Sequence, residues 1–442
     1  MRDDERIALA SRAIETRTTG TLEAVVLERH LGLTRFTRNA VHQNLDESET
    51  LVRIRAVIDG RAGWASTNSR LQAGLHEACE RALAQARLAP KPDIPVILPQ
   101  SAAYDPPGGA FDAETASTAP QTRAAGAAKV FDVASASGAW AAGYVSSFDG
   151  GIAIANSNGL RASFSSTAAE INVKCIAPQA SGYAEALSRR IGELDASAVA
   201  RRAAAKATNA GELQTPDLGE CVAVVEPAAV GELVAYLLPH FSAERVYQGA
   251  SFLSDGLDRT YAGENVTLVD DYAHPLHASC PFDGEGTPTS KVTLLEDGIA
   301  RDFVTDTEWS RRLGRRNTGH YTLGGNGAPY VHSPVLFPGT RSRQDLIAST
   351  KRGILITRFW YIRVVDQRKS IVTGMTRDGT FEIRDGKVGR GLRNFRFNVN
   401  ILDLLRDCEF SSELARTGGY SYTIVAPAAK FNRFTVSSVT SY

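Results

Sequence analysis

The chain has 442 residues, with 49 basic and 49 acidic side chains, so its formal net charge at neutral pH is zero. That balance argues against a general nucleic-acid binder, which usually carries a basic patch, and against adhesion to an anionic membrane. Hydrophobic residues make up 43% of the sequence and charged residues 22%, as in ordinary globular proteins. At about 150 residues per domain, the length predicts two or three domains.

The N-terminus and the cysteines indicate a cytoplasmic protein. The opening sequence MRDDERIALA has no apolar segment behind a basic start, so we expect no secretory signal. No stretch approaches the roughly 18 uninterrupted apolar residues that a membrane span requires. The five cysteines are dispersed and odd in number, which suits a reducing cytosol better than a disulfide framework.

Hydrophobic periodicity in the first half of the chain predicts helices packed on strands. Within a strand predicted at 49–58, Arg53 and Arg55 alternate with apolar residues, which predicts one wet face and one dry face. Ser69 is a candidate cap for an amphipathic helix at 69–86. The other predicted helices are at 7–14, in the Ala-rich stretch within 101–128, and from 182 to about 207. The other predicted strands are at 22–27, 32–39, 138–147, 151–156 and 161–177, with Asp-Gly-Gly at 149–151 as a turn.

The composition shifts around residues 209–219, where we place a boundary between domains 1–211 and 212–442. Beyond it, the pattern predicts a strand at 221–225 and an apolar helix from near Pro227 to Pro239. Short strands separated by Gly, Asp and Asn follow. The predicted fold class is α+β: an N-terminal α/β domain with an antiparallel sheet and helices, then a C-terminal domain dominated by antiparallel β structure.

Common catalytic signatures are absent from the sequence. It contains no GxxxxGK[ST] phosphate loop, no GxGxxG after a strand, no GxSxG, and neither HExxH nor HExxxH. His274, His277 and Cys280 are spaced by three residues and offer zinc-binding atoms. Pro275 favours a loop there instead, in which the histidines are incidental.

Two glycine-rich loops carry the candidate binding residues. The turn PFDGEGTP at 281–288 offers carboxylates that would hold an amine or act as acid and base. The alternative is a tight turn with Gly284 and Gly286 at positive φ. The loop GGNGAPYVH at 324–332 is either a ligand approach or a surface loop. The predicted substrate-binding residues are Asp283, Glu285, Thr287, His320, Tyr321, Asn326 and Tyr330.

Several motifs occur together in a specific order. They are LTRFTRNAVHQN, NSNG, VYQGASFLSDGL, PFDGEGTP, LGGNGAP and the long run that begins VVDQRKSIVTGM. In this order they resemble the TldD/PmbA (TldE) family of metallopeptidase-related proteins. The resemblance implies a dimer in which a TldD subunit carries zinc on an HExxxH helix plus a later cysteine. Its TldE/PmbA partner lacks the metal, and the pair trims peptides in the cytosol, including leader peptides of modified natural products.

The family's zinc ligands can be sought residue by residue. Aligned on the GAS sequence at 249–251, the two histidine positions hold Val234 and Pro239, and the glutamate position holds Ala235. His240 lies one residue off, and the cysteine segment near 422–429 contains no cysteine. Without these donors no zinc can activate water here. The chain therefore resembles the TldE/PmbA branch, with no cofactor of its own and zinc expected only in a TldD-like partner.

Three functions follow from this resemblance. In the first, the chain completes the peptide cleft of a heteromeric peptidase, and an unfolded peptide is held as an added β-strand. In the second, it is a catalytically silent homodimeric scaffold or binding protein. In the third, a biosynthetic enzyme has recruited the histidine–cysteine segment or the DGEG turn. No nucleic-acid or membrane partner is expected.

Overall fold

The computed structural model describes residues 3–15, 20–322, 328–418 and 423–440. Its N-terminal part is a six-stranded antiparallel sheet. The strands are β1 (Thr21–Thr37), β2 (Ala40–Ile58), β3 (Arg61–Thr67), β4 (Trp140–Asn156), β5 (Arg161–Ile176) and β6 (Ser181–Ser188). They lie in the order β3-β2-β1-β4-β5-β6, so β3 and β6 are the edges.

Helices cover one face of this sheet. They are α1 (Asp3–Glu15), α2 (Gln72–Leu88), α3 (Ala113–Ala116), α4 (Pro120–Ala136) and α5 (Ala196–Thr208). Side chains alternate between the two faces of a strand. Leu22, Ala24 and Val26 of β1 therefore pack with α1 and α2, whereas Val25 points to the other face, towards the C-terminal part of the chain.

The strands are longer than the sequence indicates. The predicted strands at 22–27 and 32–39 are one strand, β1, and Asp-Gly-Gly at 149–151 lies inside β4 rather than in a turn. Gly151 is needed there because a Cβ would lie 2.3 Å from the guanidinium carbon of Arg6, which sits over the strand. Ser69 does not cap α2, which begins at Gln72 after Leu71.

The helix predicted from residue 182 is wrong over its first half. Residues 181–188 form β6, which pairs with β5, and the helix α5 begins only at Ala196. A Cβ on Gly182 would lie 2.2 Å from the carbonyl oxygen of Ala203, so the glycine lets α5 pack closely over the strand. The Ala-rich composition indicates that a helix is present, but it does not indicate the residue at which the helix begins.

The C-terminal part is built on an eleven-stranded sheet. Its strands are β7 (Gly219–Val225), β8 (Leu268–Asp270), β9 (Val292–Glu296), β10 (Ile299–Ala300), β11 (Pro334–Leu336), β12 (Arg352–Asp366), β13 (Ile371–Arg384), β14 (Lys387–Gly391), β15 (Phe395–Asn400), β16 (Cys408–Thr417) and β17 (Ile424–Val439). Neighbours are antiparallel except the parallel pairs β11–β17 and β7–β12. The α+β class and the mainly antiparallel C-terminal part are thus confirmed.

Short helices surround this sheet. They are α6 (Pro227–Ala235), α7 (Ala243–Tyr247), α8 (Thr307–Leu313), α9 (Arg343–Ala348) and α10 (Ile401–Arg406), with 3-10 turns at Leu238–Phe241 and Phe252–Asp255. A further 3-10 turn, Ile191–Glu193, lies beside α3 and β5 in the N-terminal part. The apolar helix predicted to reach Pro239 ends at Ala235, and Pro239 lies in the following 3-10 turn. Within the described ranges, no helix has the length and apolar character needed to cross a membrane.

A buried ion-pair network joins the two sheets. The Arg55 guanidinium, 3% exposed, lies 2.8 Å from Glu285 Oε1 through Nη1 and 2.8 Å from Glu23 Oε1 through Nη2. The first contact is a hydrogen bond, whereas the second has the distance of an ion pair without hydrogen-bond angles. Burial raises the pKa of Glu23 to about 7 although Arg55 opposes the shift. The face of β2 predicted to be wet is therefore covered by the C-terminal part.

Replacing Arg55 with alanine should lower the free energy of unfolding by about 3 kcal/mol, because Glu23 and Glu285 would be left buried without their cation. Arg53→Ala is the matched control on the same face of β2, and it should cost less than about 1 kcal/mol because Arg53 is only half-buried. Urea unfolding at pH 7, followed by tryptophan fluorescence, measures both. Equal losses in the two variants would contradict a dominant role for the Arg55 network.

Candidate functional site

The segments that the resemblance assigns to zinc lie together in the C-terminal core. α6 packs against β17, and Val234 of α6 shares one apolar cluster with Ala426 and Ala429 of β17. Val234 is 2% exposed, and Ala235 packs against the same cluster. Valine, alanine and proline side chains have no atom that can coordinate a metal. The residues present therefore do not fit a zinc ion.

His240, the histidine nearest to these positions, is part of the core. Its Nε2 lies 3.3 Å from Ser370 Oγ, and its ring centroid lies 5.0 Å from that of Phe252. Burial lowers the pKa of His240 to about 4, so the imidazole is neutral at pH 7. The orientation of the His240 ring is set by its packing against Phe252 and its contact with Ser370.

The His274–Cys280 segment forms a loop, as Pro275 indicates. His277 is buried, and its Nε2 lies 2.9 Å from the carbonyl oxygen of Pro334. Burial raises the pKa of Cys280 to about 12, which keeps it a thiol. In the described part of the chain, no group of three His, Cys, Asp or Glu side chains is placed to hold a metal ion.

Asp283 organises the DGEG turn from inside. It is buried, and its Oδ1 accepts hydrogen bonds from the backbone N–H groups of Glu285 and Thr287, both at 2.9 Å. Its Oδ2 accepts from the N–H of Tyr321 at 2.9 Å. Of the two glycines, Gly286 has positive φ, at 78°, and a Cβ there would lie 2.8 Å from Leu160 of the N-terminal sheet. The turn is thus packed between the two sheets.

His320 is also an internal residue. Its Nδ1 lies 2.8 Å from the carbonyl oxygen of Thr318, and its Nε2 lies 3.3 Å from Asp270 Oδ2. Burial opposes ionisation of Asp270, but His320 and the backbone N–H of His332 lower its pKa below the usual value. Tyr330 is half-buried beside this group. Another predicted binding residue, Asn326, lies outside the described residues.

Among the predicted binding residues that the structure describes, Glu285 and Tyr321 line a cavity together. The cavity, about 380 Å³ in volume, lies between β2 and β3 of the N-terminal sheet and the C-terminal part. We call it the β2–β3 cavity; its charged and aromatic wall consists of Arg53, Arg55, Trp64, Glu285, Asp306, Glu308, Arg311 and Tyr321. The binding roles assigned to the predicted residues stay predictions.

A groove that the sequence did not indicate lies beside α6 and is lined in part by charged side chains. We call it the interdomain groove; it consists of two cavities of about 230 and 320 Å³ that both border Arg416. One wall is formed by β5 and the edge strand β6, and the other by the start of α6 and the end of β16. β16 is joined to the C-terminal sheet through β17 among the described strands. The edge strand β6 of the N-terminal sheet and the edge strand β16 of the C-terminal sheet therefore flank the groove.

Glu170 and Arg416 are the charged groups at the centre of the interdomain groove. Glu170 is buried, and its Oε1 accepts a hydrogen bond from the Tyr144 hydroxyl at 2.5 Å. Burial raises the pKa of Glu170 to about 7. Arg416 has two buried nitrogens, Nε and Nη1, without a hydrogen-bond partner among the described residues. Burial lowers the pKa of Arg416 to about 10, although Glu170 opposes the shift.

Hydrogen bonds close one part of this groove. The hydroxyl groups of Tyr183 and Thr417 both donate to the Glu185 carboxylate, which ties β6 to β16. Nearby, Glu232 of α6 accepts a hydrogen bond from the backbone N–H of Phe359 at 2.6 Å. Burial raises the pKa of Glu232 to about 7. The groove thus offers the unpaired nitrogens of Arg416 beside the carboxyl group of Glu170.

The sequence missed this groove for a definable reason. Glu185 lies in the segment predicted as a helix, which hid its place on an edge strand. Glu170 lies between apolar residues of β5. A single acidic side chain in such a stretch indicates a buried carboxyl group that contacts a polar partner. Arg416 follows an ordinary strand pattern, so nothing local distinguishes it from a solvent-exposed arginine.

Family models match three successive parts of the chain. They describe the PmbA/TldA metallopeptidase domain 1 at residues 23–86, the central domain at 108–210, and the C-terminal domain at 218–438. These matches confirm the resemblance drawn from the order of the motifs.

Curated relatives match parts of the chain. A metalloprotease of Methanothermobacter thermautotrophicus is 26% identical over 49% of this chain and 48% of that protein. Metalloprotease PmbA of Escherichia coli O157:H7 is 25% identical over 40% of this chain and 37% of that protein. The chain spans about half or less of the length of the curated relatives it matches.

Solved structures match nearly the whole chain. The crystal structure of TldE from Thermococcus kodakarensis has a TM-score of 0.88 and 25% identity, covering 97% of this chain and 99% of that chain. A Thermotoga maritima protein, 21% identical with a TM-score of 0.85, covers 98% of this chain and 99% of its own and shares the fold. The chain belongs to the PmbA/TldD metallopeptidase family.

Proposed function

We propose that this chain is the zinc-free, TldE/PmbA-like subunit of a heteromeric TldD-type metallopeptidase acting on unfolded peptides. The observation that carries the proposal is the apolar packing of Val234 and Ala235 where the family's zinc helix would present a histidine and a glutamate. A subunit that cannot hold the metal contributes binding surface, and a TldD-like homologue supplies the zinc. The match to a TldE structure supports the family membership on which this proposal rests.

The interdomain groove is the surface that this subunit would add to the cleft. Arg416 has two unpaired nitrogens that can donate to peptide carbonyl groups, and Glu170 can accept from a peptide N–H when ionised. The β6 carbonyl groups of Tyr183 and Glu185 already accept hydrogen bonds from Lys206 and Arg202. β16, in contrast, lies at an edge of the C-terminal sheet among the described strands and would pair with an extended chain there. Backbone hydrogen bonds ignore side-chain identity, so such a groove holds unfolded segments of many sequences.

The alternative is a catalytically silent homodimeric scaffold. It is favoured by an apolar strip on β12, where Trp360 is 45% exposed and Tyr361 is 59% exposed, beside the exposed Val364 and Val365. Exposed apolar strips of this kind mark protein interfaces. Size-exclusion chromatography of the chain, alone and with a TldD-like homologue, separates the two functions. A stable homodimer that does not exchange with the homologue would favour the scaffold.

Adding this chain to an HExxxH-bearing homologue should raise the homologue's kcat/KM on an unfolded peptide by at least about ten-fold, because the completed cleft binds more of the substrate. Arg416→Gln should raise KM by about ten-fold, the loss of one charged hydrogen bond, without weakening the complex. The exposed Arg433→Gln is the matched control and should leave KM unchanged. A homologue that is equally active alone and forms no complex would overturn the proposal.

The purified chain, equilibrated with micromolar zinc and dialysed, should retain less than about 0.1 zinc per chain, since Val234, Ala235 and Pro239 offer no ligand atoms. Inductively coupled plasma mass spectrometry measures the content, with the HExxxH-bearing homologue as the positive control. Stoichiometric zinc that disappears in His274→Ala and Cys280→Ala would instead favour a repurposed biosynthetic enzyme.

A further inference from the structure

The β2–β3 cavity is separate from the interdomain groove and is lined by different residues. Because strand side chains alternate, Arg53 and Arg55 of β2 project from the same face. Trp64 of β3 lies opposite Arg55 in the sheet register. Tyr321 and the start of α8 close the cavity from the C-terminal part, and the segment 94–97 adds apolar walls.

Arg55 is already neutralised and is not free for a ligand. It contacts both Glu23 and Glu285 at 2.8 Å, so its charge is balanced from the two sheets. Arg311 is engaged as well, because its Nη1 donates to the carbonyl oxygen of Pro95 at 2.5 Å. These contacts build the walls of the cavity, and they leave the Arg53 side chain and one carboxylate oxygen of Asp306 without a hydrogen-bond or ion-pair partner among the described residues.

The carboxylate oxygen is Oδ2 of Asp306. The residue is 1% exposed, and its Oδ1 accepts a hydrogen bond from the backbone N–H of Trp309 at 2.8 Å. Its Oδ2 is buried and has no hydrogen-bond partner among the described residues. A buried unpaired carboxylate oxygen is costly. Burial, with Glu285 and Glu308 adding negative charge, raises the pKa of Asp306 to about 7, which is what a missing cationic partner produces.

The cation is Arg53. Its guanidinium carbon lies 5.2 Å from the centroid of the Trp64 ring, and within the described ranges it forms no ion pair. The stacking fixes the plane of the guanidinium and leaves its N–H groups for an anion. The same cavity therefore holds a half-buried free guanidinium and a buried carboxyl group without its counter-ion.

We propose that the β2–β3 cavity binds a small zwitterion, an α-amino acid or dipeptide, whose ammonium group pairs with Asp306 and whose carboxylate pairs with Arg53. Three arginines and three carboxylates line the cavity, so its charge is balanced and matches a ligand with no net charge better than a polyanion or a metal ion. A volume of about 380 Å³ accommodates a ligand of this size. Ile94, Pro95 and Ile97 provide contacts for an apolar side chain.

Isothermal titration of the full chain with alanyl-leucine tests the proposal. N-acetyl-alanyl-leucine and alanyl-leucine amide should each bind at least about ten-fold more weakly, because each has lost one of the two charges. Free leucine is titrated as well. Tighter binding of leucine than of alanyl-leucine assigns the site to amino acids, and tighter binding of alanyl-leucine assigns it to peptides. Equal binding of the free, acetylated and amidated dipeptides, or no binding at millimolar concentration, would overturn the proposal.

Two variants locate the charges. Asp306→Asn keeps an oxygen for the Trp309 N–H and should abolish discrimination between the free and the acetylated dipeptide. Arg53→Gln should abolish discrimination between the acid and the amide. Glu77→Gln is the matched control, an exposed carboxylate on α2 outside the cavity, and should change affinity by less than about two-fold. A loss in Glu77→Gln as large as in Asp306→Asn would show that the buried oxygen is not the ammonium site.

Discussion

The guanidinium of Arg55 determines how the two sheets meet. It brings charge from β2 into contact with Glu23 of β1 and with Glu285 of a turn 230 residues further along the chain. Buried carboxylates without a cation are unfavourable, so the closed arrangement of the two sheets is stable only when all three groups are in register. Asp283 holds that turn through three backbone N–H groups, which places Glu285 against Arg55.

Both candidate binding surfaces follow from this closure. The β2–β3 cavity lies beside Arg55 at one edge of the N-terminal sheet, and the interdomain groove lies at the opposite edge, along β6. In each, an arginine lines the same cavity as a carboxyl group whose pKa burial raises to about 7, namely Asp306 and Glu170. Groups with pKa values shifted in this way are common at functional sites.

The region around α6 shows how a metal-site segment can become part of a core. Val234 packs with β17, and His240 is turned towards Phe252 and Ser370. This packing stabilises the helix, and it removes the chemistry that the family resemblance associates with the position. What remains near α6 is a groove lined by charged side chains that include Glu226, Lys206 and Arg416.

The sequence by itself determined the family, the α+β class and the lack of metal-binding atoms at residues 234, 235 and 239, because motif order and side-chain chemistry are local properties. It also placed α2 and much of β1, β2, β4, β5 and β7, through their periodicity. The alternation in β2 predicts that Arg55 is exposed to solvent, but the residue is buried. The sequence predicts a helix from residue 182, but residues 181–188 form a strand because they pair with β5. Only the tertiary structure decided which charges meet, since the partners of Arg55 and the neighbours of Asp306 come from segments far apart along the chain.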